Sequence, residues 1–351
     1  LGVEKELGIT KEDIGKKISV EEYNQKCREA VLRYKKEWDD ITTKMGYWVD
    51  LKNPYITFEN KYIETLWWIL KQLYNKKLLY ESVSIQPYSP AAGTGLSSHE
   101  LNQPGTYKDV KDTSCVAMFK VIRDESSAFL FVNNPNEDDT FFLAWTTTPW
   151  TLPSNLALTV GGNIAYTTIQ TYNQYTHKPI TVILADALIE KIFPQNKFAE
   201  TIDESAFVNY VGEDKKLIPY RKVTYHFSNI KGIYYGRYLE GIRYEQLMPY
   251  EANKETGGDS FKIILGDFVT TEDGTGIVHQ APAYGEDDFR VCRAAGIDLV
   301  DPVDDEGKYK SEIKEYVGVF VKDADKAIIR RIKESGRLFR QATIHHRYPF
   351  C

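Results

Sequence analysis

From Val116 to Leu184 the chain alternates short runs of β-branched and aromatic residues with polar turn residues, and this rhythm restricts its fold more than any other feature. The runs are Val116–Val121, Phe129–Val132, Thr140–Thr146, Ala157–Val160, Ala165–Ile169 and Ile180–Leu184. Each has the length of a strand. Phe261–Leu265 and Ile277–His279 repeat the pattern further on, and a helix is predicted over about Asp323–Ser335, stopped at Gly336. This part of the chain is therefore expected to be β-rich.

The first eighty or so residues read differently. Ser19-Val20-Glu21-Glu22 has the form of a capping box, and Tyr23, Cys27, Val31, Tyr34 and Trp38 follow at helical spacing. A second helix is predicted over about Glu59–Leu79, with Ile63, Leu66, Trp67, Leu70, Leu73 and Tyr74 at steps of three and four. Both stripes are expected to be core. From Ser84 to Tyr107 the composition shifts to Pro, Gly and Ser, which marks a crossing between domains. Two units also suit a chain of 351 residues, and 42% hydrophobic content suffices for a large core.

Four cysteines, Cys27, Cys115, Cys292 and Cys351, form no short pair, so neither a disulfide framework nor a cysteine zinc site is expected. A reducing, cytoplasmic setting fits. Apolar runs such as Leu66–Leu70 fall far short of the ~20 residues of a membrane span. The start at Leu1 and the end on Cys351 point to a piece of a longer protein. A net charge of −6 speaks mildly against nucleic acid as partner. Locally, however, Lys326, Arg330, Arg331, Lys333, Arg337, Arg340 and Arg347 cluster with few acids between them. The plainer reading of that cluster is a solvated helix face.

Two segments carry potential chemistry. Leu143–Asn155 starts as a strand, is broken by Pro149 and Pro153, and concentrates hydroxyls (Thr146, Thr147, Thr148) between Trp145 and Trp150. Such a strand end offers hydrogen bonds to a polar ligand or water, although Thr-rich strand ends are commonly ordinary β-structure. Asp273–Phe289 presents His279 on a glycine-flanked strand and then delivers Glu286, Asp287 and Asp288 at a helix start. Glu286 and Asp287 suit a helix N-terminus, whereas His279 with Asp288 suits a site in which imidazole orients water or ribose and carboxylate grips an ammonium group. A satisfied structural histidine is an equally good reading of His279 alone. The Gly274-Thr275-Gly276 spacing is not that of a dinucleotide loop.

Together, Trp145–Asn155 and Gly274–Phe289 resemble the two signature segments of the editing domain of isoleucyl-type class I aminoacyl-tRNA synthetases. In the valyl and leucyl relatives the first segment reads Thr-Thr-Arg-Pro. Here Thr148 stands at the Arg position and Trp150 follows Pro149, which is the isoleucyl version. The resemblance extends over nearly the whole chain. It implies an α/β protein in which a β-rich editing domain, with a β-barrel-like core and peripheral helices, is inserted into a helical part of a class I Rossmann catalytic domain. The implied boundaries are 1–84 for the catalytic portion, 85–107 for a linker, 108–338 for the editing domain and 339–351 for a return strand.

By the same resemblance the full-length protein joins isoleucine to tRNA(Ile) using ATP and Mg. Neither ATP-site signature of the class, His-Ile-Gly-His or Lys-Met-Ser-Lys-Ser, occurs in these residues, so aminoacylation and its cofactors are not expected of this stretch alone. Some family members bind zinc through linker cysteines where this chain has Ser89 and Ala92, so no metal is expected.

The resemblance implies hydrolysis of valine from tRNA(Ile), whose charged 3′ CCA end would enter the β-rich domain. The catalytic set would be Thr146, Thr147, Thr148, His279 and Asp288. Trp145, Trp150, Asn155, Gly276 and Val278 would bind substrate. Asp288 would hold the α-ammonium group, the threonines would bound the pocket and position water, and the two tryptophans would wall the adenosine side. The partners implied are charged tRNA and a small amino acid, with no membrane and a monomeric state. Two rivals stand beside this reading: a valyl-type site acting on Thr-tRNA, and a tRNA-docking module whose His279 and Asp288 are structural. A working site requires Thr147, His279 and Asp288 to line one cleft.

Overall fold

The computed structural model describes residues 2–131, 139–193, 220–223, 226–227, 230–231, 234–250, 255 and 257–350. The chain divides into two compact units, Leu1–Ser82 and Val83–Cys351.

The first unit contains four helices, α1 (Gly2–Leu7), α2 (Val20–Leu32), α3 (Lys35–Lys44) and α4 (Asn60–Asn75). Ser19 caps α2 by accepting the Glu22 N–H at 3.1 Å, but the reciprocal bond that would complete the box is not made. Neither apolar stripe is core. None of the four helices contains a buried residue, and Trp67 and Trp68 of α4 are 71% and 63% exposed. Among the described residues of this unit nothing covers the apolar faces of α2, α3 and α4, so residues at helical spacing such as Val31, Trp38 and Trp67 stay exposed.

The second unit opens with a small hairpin, β1 (Tyr88–Ser89) and β2 (Thr94–Gly95), and a single helical turn, α5 (Ser98–Leu101). Ser89 is buried, and its hydroxyl accepts the Ala92 N–H at 3.3 Å. Cys351 lies outside the described residues. The main sheet is built from β3 (Tyr107–Lys120), β4 (Thr140–Thr146), β6 (Ala165–Tyr172), β7 (Pro179–Ala185), β8 (Tyr220–Val223), β11 (Tyr234–Tyr235) and β14 (Leu338–Pro349). Its order is β11-β6-β7-β4-β3-β14, with β8 also on β6. All its pairs are antiparallel except β4 with β7. A second sheet has β5 (Ala157–Val160) between parallel β12 (Lys262–Leu265) and antiparallel β13 (Ile277–Gln280). Strands β9 (His226–Phe227) and β10 (Ile230–Lys231) form a hairpin of their own. The helices are α6 (Ile189–Ile192), α7 (Glu286–Ala294) and α8 (Val321–Glu334). The unit is thus mixed α/β with a β-rich core and peripheral helices. Among the described residues the strand path is open at β14 and β11, so the barrel-like core is not a closed barrel.

Strand β4 is buried on both faces, which is why it reads as a continuous apolar run and not as an alternating one. Phe142 and Ala144 enter the core that also holds Leu152, Leu158, Ile277 and Ile328. Phe141 and Leu143 pack on the other side with Met118, Val182 and Phe339. Each of the large side chains among these contributes about 1.5–3 kcal/mol by leaving water. This central placement makes β4 a rigid base for the Thr-rich segment that follows it.

One predicted strand is absent. Ala128–Phe131 is a 3-10 turn, begun by the Leu130 N–H bonding back to the Ser127 carbonyl at 2.9 Å, and Val132 lies outside the described residues. Leu130 and Phe131 are apolar because they plug the core, not because they join a ladder.

Candidate active site

Strand β4 ends at Thr146, and Pro149 opens a 3-10 helix, Pro149–Ser154. That helix is fixed from outside: the Trp150 N–H donates to Asp325 Oδ1 at 2.8 Å, Asp325 Oδ2 pairs with Lys322 at 2.8 Å, and Lys322 also pairs with Asp112 at 2.8 Å. Asp325 is buried, and desolvation holds its carboxyl above the usual range despite the lysine. The chain therefore leaves β4 along one defined path.

Facing that exit is the strand β13 with the turn before it. Gly274 and Gly276 both have φ of +73°, a conformation that penalises any side chain. Space adds a second requirement, since a Cβ at Gly276 would lie 2.4 Å from the Ala185 Cβ and one at Gly274 3.0 Å from the Trp145 ring. Helix α7 then begins at Glu286, with Glu286, Asp287 and Asp288 in its first turn. Asp287 pairs with Arg290 at 3.1 Å, the surface role its position suggests.

These elements enclose a cleft of about 440 Å3. Thr147, His279 and Asp288 all line it, as do Trp145, Thr146, Thr148, Gly276 and Val278. Trp150 and Asn155 do not. The Trp150 ring packs edge-on against Tyr284, a lining residue, at 4.8 Å between centroids, and so backs the wall without forming it. Asn155 is 2% exposed and lies behind His279. Thr151, Phe268, Thr270 and Tyr284 also line the cleft and are not in the set predicted from sequence.

The polar groups form one connected system. Thr146 Oγ1 accepts the Thr148 N–H at 3.0 Å and lies 3.2 Å from Thr148 Oγ1, which lies 3.5 Å from Thr151 Oγ1. Thr151 Oγ1 donates to the Thr148 carbonyl at 2.9 Å and lies 2.7 Å from His279 Nε2. On the other side of the ring, His279 Nδ1 faces Asn155 Nδ2 at 3.4 Å. Asn155 Nδ2 also donates to the Ala157 carbonyl at 2.9 Å, and Asn155 Oδ1 accepts from the Tyr244 hydroxyl at 2.8 Å. Thr147 is half-buried on the wall and makes no side-chain hydrogen bond among the described residues.

His279 therefore has both nitrogens committed to protein. Burial pushes its pKa down to about 4, so the ring is neutral at physiological pH. Through these contacts the ring connects Asn155 to the threonine run.

Asp288 is the opposite case. Its Oδ2 accepts the Ala281 N–H at 2.9 Å, and among the described residues no lysine or arginine pairs with it. Desolvation, with help from neighbouring Asp287, raises its pKa to about 6. A partly desolvated carboxylate without a cation, opening on a cleft, is arranged to take a cation from a ligand.

The predicted basic cluster is partly spent inside the unit. Arg331 pairs with Glu315 and Arg337 with Glu245, and the Lys333 ammonium lies 4.6 Å over the Tyr175 ring. Lys326, Arg330 and Arg340 are exposed without an ion pair among the described residues. No described helix is long and apolar enough to cross a membrane.

Residues 1–329 match the family model of class I tRNA synthetases (I, L, M and V). The isoleucine–tRNA ligase of Cytophaga hutchinsonii is 51% identical over 100% of this chain and 32% of its own length. Those of Porphyromonas gingivalis and Bacteroides fragilis are 46% and 48% identical with the same coverages. The chain thus spans about a third of the length of these relatives. Among solved structures, the cytosolic leucyl-tRNA synthetase editing domains of P. knowlesi and P. falciparum are 10% and 11% identical, each with a TM-score of 0.42. They cover 65% of this chain, and 95% and 98% of those chains respectively are matched.

Proposed function

The chain belongs to the class I tRNA synthetases of the isoleucine, leucine, methionine and valine group, and from that premise we propose that its second unit hydrolyses valine from tRNA(Ile). The observation that carries the reading is Asp288, a desolvated carboxylate without a lysine or arginine partner among the described residues, on one cleft with the hydroxyl run Thr146–Thr148. An aminoacyl ester has the complementary groups, an ammonium beside a carbonyl. A cleft of about 440 Å3 also falls within the size of small-ligand sites, about 300–1,000 Å3.

In this reading the α-ammonium group binds Asp288 by a charge-assisted bond, and the threonines bound the side-chain pocket and hold a water. Water oxygen bonds to the ester carbon, the tetrahedral oxyanion collapses, and the bond to the ribose oxygen breaks. The water proton ends on that oxygen, relayed by the neighbouring ribose hydroxyl of the substrate. The products are valine and tRNA with a free terminal ribose. His279 contributes no base, because both its nitrogens are occupied.

Such a site answers a limit on the synthetic step. A pocket that admits isoleucine rejects valine by only about 1–3 kcal/mol, this pair being the standard example of a missing methylene, so a second sieve is needed. In the whole protein, ligation of isoleucine to tRNA(Ile) in the cytoplasm by a monomer, with ATP and Mg, belongs to the same proposal. Neither ATP-site signature of the class occurs in the present residues, so the ATP part of the proposal concerns the rest of the whole protein. Deacylation of Val-tRNA(Ile), Ile-tRNA(Ile) and Thr-tRNA(Val) by this chain tests the reading. Valine release alone is expected; preference for the threonyl ester favours the valyl-type alternative, and binding without turnover favours a docking module.

A further inference from the structure

Trp150 stands between two cleft residues, Thr148 and Thr151, and the prolines around it leave its backbone short of local partners. As the second residue of the 3-10 helix Pro149–Ser154, it has an N–H with no acceptor inside that helix. Its carbonyl would take a 3-10 bond from residue 153, but Pro153 has no N–H to give. Both groups are met from outside. The N–H donates to Asp325 Oδ1 of α8 at 2.8 Å, and the carbonyl accepts the hydroxyl of Tyr309, 159 positions away in sequence.

The direction of both bonds is fixed, since an N–H only donates and a carbonyl only accepts. Burial pushes the Tyr309 phenol above its usual range, which keeps it a protonated donor. Neither residue lines the cleft. Tyr309 is 1% exposed and packs beside Tyr316 at 5.9 Å between centroids, while Asp325 is held in turn by Lys322, which also pairs with Asp112 of β3. Thr148 stands at the N-cap position of the 3-10 helix yet makes no cap bond with its own hydroxyl. That hydroxyl lies instead 3.2 Å from Thr146 Oγ1, and Thr148 and Thr146 both line the cleft. On the other side of Trp150, Thr151 Oγ1 reaches His279 Nε2 at 2.7 Å.

We propose that Asp325 and Tyr309 are positioning residues of this site: by taking up both backbone groups of Trp150 they hold Thr148 and Thr151 where their hydroxyls serve the cleft. This rests on the hydrolytic reading of the cleft for its kinetic consequence, but the placement of Thr151 against His279 does not. Without Asp325 the Trp150 N–H loses its acceptor, and the replacement that an N-cap threonine offers is its own hydroxyl. Thr148 then turns from the cleft to cap the helix. Without the Tyr309 hydroxyl the Trp150 carbonyl loses its donor, the turn shifts to find another, and Thr151 moves against His279.

The test uses the whole 351-residue chain and three substitutions, with kcat and KM for Val-tRNA(Ile) measured beside the His279 ring nitrogen signals of 15N-histidine-labelled protein. Tyr309→Phe removes one hydroxyl and keeps the ring. Asp325→Ala removes the carboxylate while Lys322 keeps Asp112. Tyr316→Phe is the control, a phenol of the same core next to Tyr309. Tyr309→Phe and Asp325→Ala should each lower kcat about tenfold with KM within about twofold, and each should shift the His279 ring signals. Tyr316→Phe should change neither. Unchanged kcat or unchanged His279 signals in folded Tyr309→Phe or Asp325→Ala, a loss that appears in KM alone, or an equal loss in Tyr316→Phe overturns the proposal. If one of the two variants does not fold, the other decides; if neither folds, both residues serve folding only and the proposal fails. Should the unsubstituted chain hydrolyse no ester, the functional reading of the cleft fails, and the His279 signals still decide whether Asp325 and Tyr309 place Thr151.

Discussion

His279 Nε2 and Thr151 Oγ1 lie 2.7 Å apart although 128 positions separate them in sequence. Their contact joins the strand that carries the histidine to the turn that carries the threonines, so the two signature segments meet as one polar structure. Thr151→Val keeps shape but removes the hydroxyl that faces the buried His279 Nε2. It should cost about 1–3 kcal/mol of stability and reduce hydrolysis about tenfold, measured by denaturant unfolding and single-turnover deacylation.

Asp288 supplies the charge that the substrate needs. Asp288→Ala should lower Val-tRNA(Ile) hydrolysis about 100-fold or more, while circular dichroism stays that of the parent, because a wall carboxylate adds little packing. Unchanged deacylation would remove Asp288 from the mechanism.

The same residue predicts a pH dependence. Its folded pKa, about 6, lies above the ordinary 3.8. Ammonium binding requires the ionised form, so hydrolysis should rise with pH through about 6 and then level. His279, held near 4, should add no step between 5 and 8. For stability the sign is opposite: a raised carboxyl favours the folded state when protonated, and this advantage disappears as pH climbs from about 4 to 6. Asp288→Asn should therefore stabilise the unit above pH 7, on the order of 1–2 kcal/mol for this partly buried group, in thermal melts.

Gly276 is required by backbone and space together. Gly276→Ala places a Cβ 2.4 Å from that of Ala185 at φ of +73° and should destabilise the unit by more than about 2 kcal/mol. Gly274→Ala meets only the movable Trp145 ring and should cost less.

Thr148→Arg restores the residue of the valyl and leucyl pattern. The variant should fold, since Thr148 lies past the end of β4, and should lose discrimination between valyl and threonyl esters. Loss of the folded state by circular dichroism contradicts this.

Much of this was legible in the chain itself, for physical reasons. Thr140–Thr146 read as a strand because it is buried on both faces, and Asp288 stood out as the acid left over once Glu286 and Asp287 were given to a helix start. Phe129–Val132 misled because a core plug and a buried strand share a composition. The α4 stripe misled because periodicity shows that a face is apolar without showing what covers it. Trp150 and Asn155 belong to the site one layer back, a depth that spacing does not encode. Thr151 was missed because it looks like a turn residue until His279 is set beside it.

The central claim is that this cleft releases valine but not isoleucine from tRNA(Ile). Single-turnover deacylation of Val-tRNA(Ile) and Ile-tRNA(Ile), by the 351-residue chain and by its Asp288→Ala variant, tests it most directly. The account predicts hydrolysis of the valyl ester, little of the isoleucyl ester, and loss of the first in the variant. Equal rates for both esters, or valine release that survives Asp288→Ala, would contradict it.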